Sequence, residues 1–165
     1  MSQQTTRVES IGQHVGAEQE SLFERFHWLY AFCREHLFRD DTEQIASNLW
    51  PDAEPPLRAR LLEIGCGPGF YSCRLAARFE RLHVTGIDRA GEQLSRARKR
   101  AAEKHLDNCR FEKADVHALA WARASFDAVV ASRLFTILPE REQALAEMFR
   151  VLQPGGRCFV AEPRS

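Results

Sequence analysis

The stretch Leu61-Leu62-Glu63-Ile64-Gly65-Cys66-Gly67-Pro68-Gly69-Phe70 joins a short apolar run to glycines spaced G-x-G-x-G, ahead of a helix-like segment. Glycine at such places lets the backbone take positive φ and lets a ligand approach a main chain that carries no Cβ. The next apolar run, Val84-Thr85-Gly86-Ile87, closes on Asp88, whose carboxylate can accept hydrogen bonds from two ribose hydroxyls. Together these features point to a ligand that contains adenosine.

The dinucleotide fingerprint needs G-x-G-x-x-G, with helix N–H groups turned toward a pyrophosphate. Here the third glycine comes one place early, at Gly69, and Phe70 stands where that fingerprint requires glycine. Pro68 also removes a donor from the loop. A ligand without phosphate fits better, and a nicotinamide-dependent oxidoreductase is disfavoured.

These residues need elements to hold them, and the hydrophobic periodicity supplies a set. Residues 1–17 read as a loose polar arm. From Glu18 to Arg39, the positions Leu22, Phe26, Leu29, Cys33 and Leu37 recur at helical spacing, with Phe23 and Tyr30 on an adjoining stripe. Asp40, Asp41 and Thr42 can cap a second short helix carrying Ile45 and Leu49, which Pro51 ends. Then strands at 60–64, 82–87, 109–113, 126–131 and 156–162 alternate with helices at 71–79, 91–105 and 140–152. Such alternation predicts a parallel sheet with helices on both faces. Gly155-Gly156 after Pro154 reads as a turn before the last strand.

A chain of 165 residues suits one domain and can bury a proper core. Hydrophobic residues make up 44% and charged residues 28%, with no apolar run near the roughly 18 residues that cross a bilayer. The polar Met-Ser-Gln-Gln-Thr-Thr start lacks the character of a secretory signal, so a cytoplasmic protein that does not bind a membrane is expected. Cys33, Cys66, Cys73, Cys109 and Cys158 contain no C-x-x-C pair and read as reduced, mostly buried small hydrophobes, with no metal site. Basic and acidic side chains balance at 23 each, which gives no general attraction to nucleic acid. The local run Arg96, Arg98, Lys99, Arg100 and Lys104 falls on a predicted helix beside Glu92 and Glu103, and reads as a solvated face.

Several motifs in one order carry a family resemblance: Glu63-Ile64-Gly65-Cys66-Gly67-Pro68-Gly69, Gly86-Ile87-Asp88, Lys113-Ala114-Asp115-Val116, Phe126-Asp127-Ala128-Val129-Val130-Ala131-Ser132 and Phe149-Arg150-Val151-Leu152-Gln153-Pro154-Gly155-Gly156. Over about residues 58–163 the chain resembles the class I S-adenosylmethionine-dependent methyltransferases, in particular the small type 11 group. The resemblance implies a Rossmann-like α/β sandwich with a five-stranded sheet in the order 3-2-1-4-5. The N-terminal arm and helical cap would span 1–56 and the cofactor-binding core 57–165.

It also implies roles. Glu63 and the loop of Gly65, Cys66, Gly67, Pro68 and Gly69 would hold the amino-acid end of S-adenosylmethionine, Glu63 acting at its ammonium. Asp88 would take the ribose hydroxyls and Arg89 would lie against adenine. Asp115 would take the adenine amine with the Val116 N–H beside the ring, and Ser132 and Arg133 would border the sulfonium. Purely structural readings stand beside these: Glu63 accepting from local backbone donors, Asp115 capping the turn that follows it, Phe126-Asp127 serving the strand start.

Methyl transfer from a sulfonium asks little of side chains, because the leaving group is a neutral thioether and in-line positioning supplies much of the acceleration. His14, His27 and Tyr30 are candidates to touch an acceptor, but no catalytic residue is assigned. Relatives that methylate exocyclic amines carry Asn or Asp, then Pro-Pro-Tyr, after the fourth strand, whereas this chain has Ala131-Ser132-Arg133-Leu134. A small organic acceptor is therefore expected. The sequence stops at Ser165, before the antiparallel hairpin usual in the family. The strand over Arg157 to Ala161 is then expected to be an open edge, inviting a homodimer or a partner chain. The alternative function is a non-catalytic cofactor-binding or interaction protein on a shortened methyltransferase fold.

Overall fold

The computed structural model describes residues 40–51 and 54–162. The predicted arm, the aromatic helix over 18–39, and with them His14, His27, Tyr30 and Cys33, lie outside the described residues. The chain divides into two compact units, Met1–Arg39 and Asp40–Ser165, and the described residues belong to the second.

The elements run α1 (Thr42–Leu49), β1 (Arg60–Ile64), α2 (Phe70–Arg78), β2 (His83–Asp88), α3 (Gly91–Glu103), β3 (Cys109–Lys113), β4 (Phe126–Ser132), α4 (Arg141–Val151) and β5 (Leu152–Ala161). The strands form one sheet in the order β3-β2-β1-β4-β5, with every neighbouring pair parallel. The expected α/β class and 3-2-1-4-5 order hold. Leu61 and Leu62 are successive residues of β1, point to opposite faces and are both fully buried. That is the behaviour of a central strand covered on both sides.

One face carries Leu61, Val84, Ala128 and Val130, packed with Ile45 and Leu49 of α1 and with Tyr71 and Leu75 of α2. Leu94, Ala97 and Ala101 of α3 extend this layer toward Phe111 of β3. The opposite face places Leu62, Ile64, Ile87, Val129 and Ala131 against Ala144, Met148 and Val151 of α4. The register brings Glu63 level with Gly86 and Val130, so the C-terminal ends of β1, β2 and β4 finish side by side.

Two local features sharpen or change their sequence reading. Of the three residues expected to cap α1, Asp41 holds the N-cap position without a side-chain cap bond, and Asp40 supplies the carboxylate: its Oδ1 accepts from the Thr42 N–H at 3.0 Å and from the Thr42 hydroxyl at 2.5 Å. A carboxylate two residues before the helix can close an Asx turn there. The last strand begins at Leu152 but is interrupted: Phe126 pairs with Leu152, and Ala128 already pairs with Arg157. Residues 153–156 loop out between these pairs. Gly155 has φ +80°, and a Cβ on Gly156 would sit 2.8 Å from the Asp127 carbonyl oxygen. The expected glycine turn thus lies inside the strand, and Asp127 serves the architecture by accepting from the Arg60 N–H at 2.7 Å and from Gln153 Nε2 at 2.5 Å.

The thiols are free among the described residues, and Cys66 and Cys73 are buried as expected. Cys158 is exposed, which corrects the reading for that residue: it falls on the outer strand of the described sheet. Arg96 pairs with Glu92, and Lys99 faces Glu103 along α3, as a solvated helix face would. No described helix is long and apolar enough to cross a membrane. No group of metal-ligating side chains occurs among the described residues.

Candidate functional site

The glycine loop connects β1 to α2 through a run of left-handed conformations: Gly65 at φ +67°, Gly67 at +51° and Gly69 at +73°. Side-chain-bearing residues rarely adopt that region, so the spacing of the glycines is set by the backbone path. The path is also pinned. The Cys66 N–H donates to the Ile87 carbonyl at 2.9 Å and the Gly67 N–H donates to Asp88 Oδ2 at 2.8 Å, so the loop is laid across the end of β2.

Two glycines have a further reason that spacing did not reveal. A Cβ on Gly69 would lie 2.8 Å from Phe111 Cζ and 2.9 Å from Ala97 Cβ. A Cβ on Gly86 would lie 2.7 Å from Phe111 Cδ1 and 2.8 Å from Ser72 Oγ. These positions are glycine because Phe111 fills the space between α2, α3 and the sheet. Gly65 faces Leu134 instead, whose Cδ1 would be 3.1 Å from an added Cβ.

Each carboxylate expected at the site lies at, or within two residues of, the C-terminal end of a strand. Glu63 is fully buried near the end of β1 and accepts a hydrogen bond from the buried Ser72 hydroxyl in the first turn of α2. Ser72 is a residue the sequence reading missed, since nothing in its local pattern separates it from an ordinary helix serine. Asp88 ends β2; besides the Gly67 N–H on Oδ2, its Oδ1 accepts from the Ala90 N–H at 2.8 Å. These bonds fix the carboxylate at the rim, and each oxygen keeps a second lone pair.

Asp115 follows β3. Its Oδ1 accepts from the His117 N–H at 3.0 Å and meets His117 Nδ1 at 2.8 Å. The turn-capping role weighed for Asp115 is thus present. Its Oδ2 lies 4.0 Å from Arg89 Nε, and both side chains are substantially exposed. The bonds from His117 hold the Asp115 carboxyl below the ordinary carboxylate range, with the Arg89 charge adding to the effect. Val116 is buried in the core beneath, and Ser132 closes β4 half-buried. Glu63, Asp88, Asp115, Ser132 and the loop therefore gather along one edge of the sheet, where the strands end. In open parallel sheets ligands bind at this edge, near the point where the strand order reverses. Here that point lies between β1 and β4, directly above the glycine loop.

A family model described as "Methyltransferase domain" matches residues 58–165. The chain is 38% identical over 103 residues to demethylmenaquinone methyltransferase of Deinococcus radiodurans, an alignment that covers 62% of this chain and 42% of that protein. It is 42% identical over 110 residues to 27-O-demethylrifamycin SV methyltransferase of Amycolatopsis mediterranei, covering 65% of this chain and 40% of the relative. Among solved structures, a SAM-dependent methyltransferase from Aquifex aeolicus superposes with a TM-score of 0.61 at 25% identity, covering 74% of this chain and 62% of that one. The chain belongs to the class I S-adenosylmethionine-dependent methyltransferases. The alignments span less than half the length of those curated relatives.

Proposed function

We propose that the protein binds S-adenosylmethionine at the edge just described and transfers its methyl group to a small organic acceptor. The observation that carries this reading is the meeting of the left-handed glycine loop with Asp88, whose carboxylate holds the Gly67 N–H at 2.8 Å at the point where the strand order reverses. The loop carries no phosphate-binding lysine and includes Pro68, which favours a sulfonium nucleoside over a nucleotide.

In this reading Glu63 and residues 65–69 take the amino-acid end, and Asp88 the ribose. Arg89, Asp115 and the Val116 N–H take adenine, and Ser132 with Arg133 borders the methyl group. When bound, the cofactor supplies an electrophilic methyl on a cationic sulfur. The residues of this chain orient it, and Glu63 and the neighbouring backbone hold its charged end. Relatives named for a demethylmenaquinone and a demethylrifamycin support a small-molecule acceptor.

The neutral charge balance and free thiols favour a cytoplasmic setting without nucleic-acid or membrane partners. The outer side of β5 is the edge of the described sheet, and Val160 on it is 45% exposed. We assign it to strand pairing with a second copy of the chain or another partner. Light scattering should then report a dimer or larger species, and a monomer at all concentrations would count against the pairing.

Calorimetric titration with S-adenosylhomocysteine tests the cofactor reading. Binding is expected, with none for NAD, and Asp88→Ala should weaken it by at least about tenfold. Undiminished affinity in that variant would overturn the site. Turnover is tested with labelled S-adenosylmethionine across an acceptor panel, where a single methylated product identifies the substrate.

A further inference from the structure

His117 lies two residues beyond Asp115, and its ring touches an acceptor at each nitrogen. Nδ1 is 2.8 Å from Asp115 Oδ1 and Nε2 is 3.0 Å from the Pro139 carbonyl oxygen. A carboxylate and a carbonyl only accept, so both ring nitrogens must donate for both bonds to form, and only the imidazolium can do that. The ring is 12% exposed, which limits the water able to replace either partner. The backbone supports the same placement: Gln143 Nε2 donates to the His117 carbonyl at 3.0 Å, and the His117 N–H donates to Asp115.

Pro139 belongs to the loop of residues 133–140 between β4 and α4. At its start the Leu134 side chain lies over Gly65. Near its end Pro139 is held by His117. Between them, the Phe135 N–H donates to Glu162 at 2.7 Å. The loop therefore runs from the glycine loop to Asp115, the two ends of the proposed cofactor cradle.

We propose that His117 is a positioning residue for cofactor binding: as an imidazolium it fixes the Asp115 carboxylate and ties it to the 133–140 loop. This rests on the cofactor reading given above and adds a pH dependence to it. With Oδ1 bound twice to His117, the adenine amine falls to Oδ2. Loss of the ring proton leaves one donor for two acceptors; the carboxylate keeps it, and the lone pair on Nε2 then faces the Pro139 oxygen.

The charged groups around the ring are Asp115 on its own segment and Glu140 beside the start of α4, with Arg89 from the end of β2 facing the far oxygen of Asp115. The Pro139 carbonyl, then the Asp115 carboxylate, hold the ring's pKa above its ordinary value. For a base raised in this way, the contribution is complete below about 6.5, the unperturbed histidine value, and is lost as pH rises through the raised one.

The test is calorimetric titration of the full chain with S-adenosylhomocysteine from pH 5.5 to 9 at fixed ionic strength, for wild type, His117→Phe and Asp88→Ala. Wild-type affinity is expected to fall by about tenfold across the ring's titration, the scale of one net hydrogen bond. His117→Phe should start at the weaker value and lose the histidine step. Profiles of wild type and His117→Phe that superimpose would overturn the proposal. Full affinity in Asp88→Ala would instead overturn the cofactor reading, whatever His117 does. Nitrogen-15 spectra of the wild-type ring give a readout that needs no variant. Both nitrogens protonated at pH 7 is the expected result, and a neutral ring with an ordinary pKa would overturn the proposal.

Discussion

The Ser72 hydroxyl, one turn into α2, donates to the Glu63 carboxylate near the end of β1, and both side chains are fully enclosed. A buried carboxylate is tolerated only where donors meet it, and this one joins the strand to the helix across the glycine loop. Ser72→Ala removes a donor from that carboxylate and should lower unfolding free energy by about 1–3 kcal/mol in urea titration. Glu63→Gln separates the roles of the site, since its amide oxygen can still accept from Ser72 while the negative charge is gone. It should lose S-adenosylhomocysteine affinity with a smaller loss of stability. Equal losses of both in the two variants would make Glu63 a structural residue only.

Phe111 makes the opposite kind of demand, for empty space. An alanine at position 86 would bring a Cβ within 2.7 Å of its ring and 2.8 Å of Ser72 Oγ. Gly86→Ala should therefore cost about 1–3 kcal/mol by overpacking. Phe111→Leu in the same chain should recover part of that cost, giving a coupling of about 0.5–3 kcal/mol in a double-mutant cycle. Additive effects would show that the aromatic ring is not the constraint.

The strand-helix alternation was legible because each central strand is a short apolar run covered on both faces, and periodicity reports burial directly. Asp88 and the glycine loop were legible because positive φ and a strand-end carboxylate leave marks on residue type. Phe111, Ser72 and His117 were not, since each acts on a partner brought near by the fold: Phe111 on Gly86, Ser72 on Glu63, His117 on Pro139. Gly69 and Gly86 show the limit most clearly. For Gly69 the local sequence suggests room for a ligand and for Gly86 it suggests nothing, whereas the structure gives both a packing demand from a strand 25 or more residues away. The Pro154-Gly155-Gly156 stretch reads as a turn, but its place inside β5 depends on the partner Phe126, which periodicity does not see.

The thiols differ in ways an alkylation experiment resolves. Cys158 is exposed, while Cys66 and Cys73 are buried. The neighbouring Cys109 thiol holds the Cys73 pKa below the ordinary thiol value, yet enclosure denies a reagent access. Brief treatment of the native chain with iodoacetamide should modify Cys158 well before Cys66 or Cys73, as read by peptide mass mapping. Modification of Cys73 at the rate of Cys158 would show that α2 opens readily from the sheet.

Glu147 and Arg150 fasten the segment after Asp115 to α4. Arg150 Nε donates to Glu147 Oε1 at 2.6 Å, and its Nη1 and Nη2 donate to the carbonyls of Trp121 and Leu119 at 2.7 and 2.8 Å. The Leu119 N–H donates back to Glu147 Oε2 at 2.8 Å. The bonds from Arg150, and behind them that of Leu119, hold the Glu147 carboxyl below its ordinary value near 4.5. A depressed carboxylate contributes stability above the unfolded value and loses it as pH falls toward the folded one. Melting temperature of the wild type should therefore drop as pH is lowered below about 4.5. Glu147→Gln should melt lower at pH 7, by the equivalent of about 1–3 kcal/mol, and show a shallower acid slope. Because this clamp sets the path of the chain leaving Asp115, the variant should also weaken S-adenosylhomocysteine binding at neutral pH; affinity equal to wild type would confine the clamp to stability.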